Sequence, residues 1–509
     1  MSGTSQAWAV TSRPAAEALV GVIGAGVMGA GIAQEAAQAG HPVRLMDVRE
    51  GAAQAAHGQI AKALDGLVTK GRMAAAERDA VLARIQPASA LADLADAALV
   101  VEVIIEKLEP KQALLRGLDA LLGPDALIAS NTSSISITAL ANGLQRPERL
   151  VGMHFFNPVP LMKLVEVVSG AETQASVAEA IYELSRRWGK APVHAKSTPG
   201  FIVNRIARPY YAETLALLLE QAGTPAQLDR ALRSVGFRMG PCELMDLIGH
   251  DTNFLVTQSV FEANFSDKRY VPSLVQKALV DGGRLGRKVG KGFYEGVPAA
   301  PVPAERSGVA GWTSLVLHGE GALVEALAQS LEAAGVAFQR GSGAGWAGLA
   351  LDGLQLRLSS GRCAAELAQR EGVAELAVID WPVSGPRTEA LAMAFAPRCS
   401  EAGRTAAHQL FAALGWTPLV LRDAPGLVVA RTLAMLVNEG ADAVWQGVCD
   451  EAAADQAMKL GVNYPAGPFE WLALLGAPRV VETLDALFEA SRSERYRVSP
   501  LLKHRVWAG

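Results

Sequence analysis

The stretch ALVGVIGAGVMGAGIAQEAAQAGHPVRLMD, residues Ala18 to Asp47, decides the fold of the N-terminal part of the chain. Leu19 to Ile23 form a short apolar run that reads as a buried strand, and Gly24-Ala25-Gly26-Val27-Met28-Gly29 turn the chain. An alanine-rich segment then runs as a helix to Gly40, and Pro42 to Met46 read as a second strand ending at Asp47. A bare GxGxxG is a weak signal. Here a strand precedes it, a helix follows, and an acid stands 23 residues beyond the first glycine, which is the full dinucleotide-binding pattern. Gly24 makes the tight turn, Gly26 lets the backbone approach a pyrophosphate, and Gly29 allows the helix to pack on the sheet. The helix N-terminus offers its free N–H groups to the phosphates. Asp47 would accept from ribose hydroxyls and repel a 2′-phosphate, favouring NAD over NADP, a preference that Arg49 tempers.

The alternation continues. AALVVEVIIEKLEPKQALLRGLDALL (97–122) reads as strand then helix, and ALIASNTSSISITAL (126–140) as a strand entering a Ser/Thr-rich turn. Ligands of open parallel sheets bind beyond the carboxyl ends of strands. Glu106, Lys111, Asn131 and Ser133 fall at or just past such ends, although Ser133 also suits the N-cap of the next helix. GMHFFNPVPLMKLVEVV (152–168) follows. With Asn157 to Met162 as the turn, two short strands fold back on each other and His154 lies opposite Glu166, both equidistant from Pro160. Side chains so paired have Cβ atoms roughly 5 Å apart, close enough for a carboxylate to hold an imidazole. A buried histidine satisfied by a convenient acid is the plainer alternative; its place beside a dinucleotide fold favours the functional one.

At 509 residues the chain is too long for one core and predicts about three domains. Hydrophobic residues at 50% and charged ones at 19% give an ordinary globular balance. A formal charge of -4 offers no footprint for nucleic acid or an anionic membrane. The four cysteines are scattered without CxxC spacing, which predicts reduced thiols and neither a disulfide framework nor a metal site. MSGTSQAWAVTSRP has no signal-peptide pattern, and no run of about 18 apolar residues occurs, so a cytoplasmic location is expected.

From about residue 197 the character changes: STPGFIVNRIARPYYAETLALLLEQAG opens a helical region that ends in GRLGRKVGKGFYE. GAGVMGAGIA, SNTSS, HFFNPVPLMKLVEVV, STPGFIVNR and GRKVGKGFY, in this order and spacing, strongly resemble the L-3-hydroxyacyl-CoA dehydrogenases over roughly residues 18 to 296. The resemblance implies a Rossmann-type NAD-binding domain over 18–196 and a helical substrate and dimerisation domain over 197–296. It places the catalytic histidine on His154, its orienting glutamate on Glu166, and substrate contacts on Ser133 and Asn204. The cofactor contacts it implies are Gly24, Ala25, Gly26, Val27, Met28, Gly29, Asp47, Glu106, Lys111, Ser133, Asn157 and Lys288. A coenzyme A contact falls on Lys70, whereas a serine that some relatives use just upstream is Ala63 here.

The chemistry suits these parts. Oxidising a secondary alcohol removes a proton from oxygen and a hydride from carbon; the cofactor takes the hydride, so the protein supplies a base and a geometry. Histidine, with an ordinary pKa near 6.5, takes a proton near neutrality. Glu166 would fix the ring tautomer and stabilise the imidazolium. Ser133 and Asn204 would hold the substrate oxygen as neutral donors.

The single-copy pattern ends near residue 296, and a Pro/Gly/Ala linker covers 297–311. TSLVLHGEGALVEALAQSLEAAGVAFQR then imitates strand, glycine turn, helix and strand, but Val324 replaces the third glycine and no acid follows where Asp47 would be. Residues 312–421 therefore read as a degenerate Rossmann-like domain and 422–509 as a second helical copy. STPGFIVNRIA at Ser197 is echoed by DAPGLVVARTL at Asp423, with Ala430 in the place of Asn204. Single-copy relatives pair through the helical domain, so the second copy is expected to supply that partner surface as an internal pseudo-dimer, with further oligomerisation left open. Similar two-copy chains occur among bacterial 3-hydroxyadipyl-CoA dehydrogenases, which serve phenylacetate breakdown, and 3-hydroxybutyryl-CoA dehydrogenases. The competing readings are a non-catalytic NAD-binding protein on the same fold and an NADP-linked β-hydroxyacid reductase, which would use a lysine base.

Overall fold

The computed structural model describes residues 16–299 and 311–508. The N-terminal stretch read for a targeting signal and most of the 297–311 linker lie outside the described residues. The chain divides into two compact units: one runs to Val203 and takes in Gly447–Gly461, the other holds Asn204–Gln446 and the chain from Val462 onward.

The first unit is built on an eight-stranded sheet. Its strands are β1 (Val20–Ile23), β2 (Val43–Met46), β3 (Ile85–Ala88), β4 (Leu99–Glu102), β5 (Leu127–Ser130), β6 (Leu150–Phe155), β7 (Leu164–Ser169) and β8 (Ala191–Lys196). They lie in the order β3-β2-β1-β4-β5-β6-β7-β8, parallel except for β6 against β7. β1, β4 and β5 are buried along their whole length, as a parallel sheet covered on both faces requires. The first helix, Val27–Gln38, stops two residues before the expected Gly40, which instead takes the following turn at φ 103°. Two glycines are fixed by packing. A Cβ on Gly24 would lie 2.4 Å from the Val103 carbonyl oxygen, and one on Gly29 would lie 1.7 Å from that of Gly24.

The second unit carries a seven-stranded sheet: β9 (Leu315–His318), β10 (Gln339–Gly341), β11 (Gly348–Leu351), β12 (Leu354–Leu358), β13 (Leu376–Ile379), β14 (Ala390–Phe395) and β15 (Thr417–Val420). Its order is β10-β9-β11-β12-β13-β14-β15, a reduced Rossmann domain in which β11 runs antiparallel to both neighbours. The expected second strand shrinks to Gln339–Gly341, because Gly335 takes a positive φ of 69° and the chain pairs only after Phe338. Val324, in the third glycine's place, is fully buried, so the tight approach of helix to turn made by Gly29 is replaced by side-chain packing.

Each helical copy lays one helix on the sheet of the other copy's Rossmann domain. In the first unit Glu451–Gly461 packs on β7 and β8, with the Lys196 N–H donating to the Val448 carbonyl at 2.9 Å. In the second unit Pro225–Arg233 packs on β14, with the Arg422 N–H donating to the Ala222 carbonyl at 2.8 Å. Both pairs are related by the same 226-residue offset. The simple 422–509 block thus gives up Gly447–Gly461 to the first unit.

Within the second unit the offset recurs in buried ion pairs. Glu439, on the almost wholly buried helix Val429–Trp445, accepts from Arg205 Nε at 2.6 Å, Tyr270 Oη at 2.6 Å and Arg269 Nη1 at 3.3 Å. Glu213 accepts from Arg431 Nε at 2.8 Å, Tyr496 Oη at 2.9 Å and Arg495 Nη1 at 3.3 Å. Every residue of one set lies 226 positions from its counterpart. Burial pushes both carboxyls up, but their arginines more than offset it and leave both below the usual range. No helix among the described residues is long and apolar enough to cross a membrane.

Candidate active site

The glycine turn presents the features a pyrophosphate needs. Gly26 caps the first helix without any side-chain hydrogen bond, and a Cβ there would meet nothing within 4 Å. The first-turn N–H groups are therefore left for an anion in open space. Val27 is 73% exposed, and Ala25 donates its N–H to Asp47 Oδ2 at 2.8 Å, tying the turn to the end of β2. Asp47 also accepts from Arg49 Nε and Nη2, each at 3.0 Å, and Arg49 with the backbone donors holds its carboxyl down at about 2. The carboxylate is ionised whenever a ribose arrives.

A second cluster lies past β4 and β5. Glu106 Oε1 accepts from Thr132 Oγ1 at 2.7 Å, the Ser133 N–H at 2.8 Å and hydroxyl at 3.2 Å, and the Ser134 N–H at 3.0 Å. Burial pushes this carboxyl up, but Lys111 and these donors leave it below its ordinary value. Lys111 is not at a strand end: it sits in helix Leu108–Leu121, 1% exposed, with Nζ bonded to Glu102 Oε1 at 2.6 Å and 3.3 Å from Glu106 Oε2. Ser133 is held by Glu106, and the N-cap of the next helix is Ser136 instead. Glu102, absent from the sequence reading, also accepts from Ser130 Oγ at 2.6 Å; only its place at the apolar strand's end hinted at it.

β6 and β7 pair in the register the sequence implied, His154 opposite Glu166. His154 Nδ1 lies 2.6 Å from Glu166 Oε2, and both residues are buried. A carboxylate only accepts, so Nδ1 donates to Glu166; in the neutral ring Nε2 is then the lone-pair nitrogen, and it has no protein partner among the described residues. Glu166 Oε1 accepts the N–H groups of Ile202 at 2.9 Å and Val203 at 3.0 Å, so the start of the next helix pins the acid that orients the imidazole. The rings of Phe156 and Phe201 flank His154, with centroids 4.6 and 5.8 Å away. Asn131 Oδ1 accepts the Phe155 N–H at 2.8 Å and locks the end of β6 to β5.

The remaining expected residues lie on other elements. Asn157 is exposed in the hairpin turn. Lys70 is exposed at the end of helix Ala52–Thr69, while Ala63 and Leu67 on that helix help line an open cleft of about 690 Å³ with Leu161 and Trp188. Asn204 lies on the short helix Val203–Ile206, directly after the N–H groups that hold Glu166. Lys288 bonds both Asp251 oxygens at 2.6 Å.

Comparison with known families matches this arrangement. Residues 19–198 match "3-hydroxyacyl-CoA dehydrogenase, NAD binding domain", and 200–296 and 426–509 each match "3-hydroxyacyl-CoA dehydrogenase, C-terminal domain". The chain belongs to the 3-hydroxyacyl-CoA dehydrogenase family. As a member it is an NAD-dependent oxidoreductase of the long two-copy form. Residues 356–425 match "3-hydroxybutyryl-CoA dehydrogenase reduced Rossmann-fold domain". The 3-hydroxyadipyl-CoA dehydrogenase of Escherichia coli K12 is 44% identical over 488 residues, 96% of this chain and 97% of that one. A probable 3-hydroxybutyryl-CoA dehydrogenase of Deinococcus radiodurans is 42% identical and covers 54% of this chain and 99% of its own length. The crystal structure of 3-hydroxybutyryl-CoA dehydrogenase from Escherichia coli K12 superposes with a TM-score of 0.87 at 41% identity, covering 96% of this chain and 98% of that chain.

Proposed function

We propose that this 3-hydroxyacyl-CoA dehydrogenase oxidises (S)-3-hydroxyacyl-CoA to 3-oxoacyl-CoA with His154 as general base. The observation that carries the reading is the 2.6 Å bond from His154 Nδ1 to Glu166 Oε2, which leaves Nε2 as the acceptor. Nε2 takes the hydroxyl proton as the carbonyl forms, and the buried Glu166 carboxylate stabilises the imidazolium. NAD, when bound, accepts the hydride from the hydroxyl-bearing carbon. Ser133 and Asn204 hold the substrate oxygen as neutral donors, and Lys70 contributes to coenzyme A binding. Gly24 to Gly29, Asp47, Asn157 and Lys288 serve the cofactor, while Lys111 acts by fixing Glu106 beside Ser133.

The substrate we favour is 3-hydroxyadipyl-CoA of phenylacetate breakdown, because the relative with that name matches the whole chain. The alternative is 3-hydroxybutyryl-CoA. NADH formation measured at its absorbance over a panel of 3-hydroxyacyl-CoA thioesters tests the reading. Turnover of at least one thioester is expected; a chain that binds NADH and turns over none would be a non-catalytic NAD-binding protein.

The domain division at 18–196, 197–296, 312–421 and 422–509 belongs to the same proposal, with the second copy as an internal partner and the enzyme in the cytoplasm. The reciprocal Glu213 and Glu439 clusters support the internal pseudo-dimer, since one patch serving both sides marks an isologous interface.

A further inference from the structure

Arg208 is a buried cation without an anion among the described residues. It stands one helical turn after Asn204 and is 6% exposed. Its Nε donates to the Asn204 carbonyl at 2.8 Å and its Nη1 to Thr257 Oγ1 at 3.1 Å, and the guanidinium lies 5.0 Å from the Tyr211 ring centroid. A guanidinium has five N–H donors. These two bonds leave Nη2 without a protein acceptor among the described residues, and no carboxylate there pairs with Arg208. The other deeply buried arginines of this unit behave differently: Arg205, Arg269, Arg357 and Arg431 all carry glutamate partners.

A tyrosine of the same aromatic cluster has the complementary defect. Tyr464 is 7% exposed, and its hydroxyl is buried with no hydrogen-bond partner. Its ring is tilted against Tyr210 and edge-on to Phe237, at 5.3 and 4.9 Å between centroids. Arg208 and Tyr464 belong to one aromatic cluster: the guanidinium lies over the Tyr211 ring, Tyr211 meets Tyr210 at 5.9 Å between centroids, and Tyr210 meets Tyr464. Burial lowers the pKa of the guanidinium, with only Tyr211 and Tyr464 acting the other way. A desolvated cation and a desolvated O–H that share the lack of one acceptor are each costly to leave unpaired.

We propose that Arg208 and Tyr464 together receive the terminal carboxylate of a dicarboxylic acyl chain whose 3-oxygen is held by Asn204, and so select such substrates over methyl-terminated ones. One anion supplies what both groups lack: a bidentate partner for the guanidinium and an acceptor for the phenol. The one-turn separation of Asn204 and Arg208 sets the acyl length as short. A methyl terminus in the same place leaves the cation and the hydroxyl buried and unsatisfied, the arrangement that gives strong discrimination. This inference rests on the dehydrogenase reading of the site and on Asn204 as a substrate contact.

The test compares kcat/KM for 3-hydroxyadipyl-CoA with that for 3-hydroxyhexanoyl-CoA, which has the same chain length and no terminal charge. The wild-type chain should prefer the dicarboxylic substrate by on the order of 10²-fold or more. Arg208→Met should collapse that ratio toward one, and Tyr464→Phe should lower it in the same direction by a smaller factor. NADH binding reports folding; should Arg208→Met lose it, the ratio in Tyr464→Phe decides. A wild-type ratio near one, or a ratio unmoved in a folded variant, overturns the proposal while leaving the His154 mechanism standing. Absence of turnover with both thioesters in the wild-type chain would instead overturn the dehydrogenase reading on which it rests.

Discussion

The Asp380 carboxylate accepts the N–H of Ala430 at 2.8 Å, and with that bond the second copy's counterparts of His154 and Asn204 are tied to each other. Asp380 lies opposite Ala392, its N–H donating to that residue's carbonyl, as His154 lies opposite Glu166. The 226-residue offset connects both pairs. Asp380 also accepts from Val428 at 2.9 Å and Val429 at 2.7 Å, the duty Glu166 performs for Ile202 and Val203. The anion that caps the helix has moved onto the strand position that His154 holds in the first copy, and no histidine stands there.

One chain should therefore bind one NADH. Val324 and the lack of an acid after β10 remove the turn and the ribose contact from the second Rossmann domain. Calorimetric titration giving two equivalents per chain would contradict the degenerate-copy reading.

Asp380 also predicts a pH effect on stability. Burial raises its folded carboxyl to about 6 from 3.8, so the unfolded chain releases this proton first. The group's contribution is full below about pH 4 and is lost as pH rises through 6, by roughly 3 kcal/mol. Asp380→Asn should flatten that fall while keeping an acceptor for the helix. Identical pH profiles of unfolding in the two proteins would contradict the assignment.

Glu213→Gln and Glu439→Gln should each destabilise the chain by about 3–5 kcal/mol, because each leaves buried arginines without their anion. Denaturant unfolding should show similar losses for the two, as the pseudo-symmetry demands. A loss below about 1 kcal/mol in either would mean that these pairs do not hold the copies together.

Replacing Asp47 with asparagine should weaken NAD binding and relax discrimination against NADP, since an ionised carboxylate there would both accept from the ribose and repel a phosphate. A wild-type enzyme that already prefers NADP would contradict this reading of the end of β2.

The part of this architecture legible in the sequence was local. Gly29 is demanded by the Gly24 carbonyl of the same turn, and the His154–Glu166 register follows from a turn centred on Pro160. The offset that pairs Asn204 with Ala430 also points from His154 to Asp380, but the apolar strands around those two share too few residues to draw the eye. The exchange of Glu451–Gly461 and Pro225–Arg233 between sheets is invisible in sequence, because either helix has the same apolar face whichever sheet receives it. Arg208 left one signal, a second cation after Arg205 in the helical run IVNRIARPYY.

The measurement that bears most directly on the mechanism is turnover of a 3-hydroxyacyl-CoA by His154→Gln, read as NADH formation beside NADH affinity of the same protein. Removing the base while leaving the glycine turn untouched should cost roughly 10²–10⁴-fold in kcat with affinity nearly unchanged. A variant with near wild-type kcat would contradict the assignment of His154 as the base.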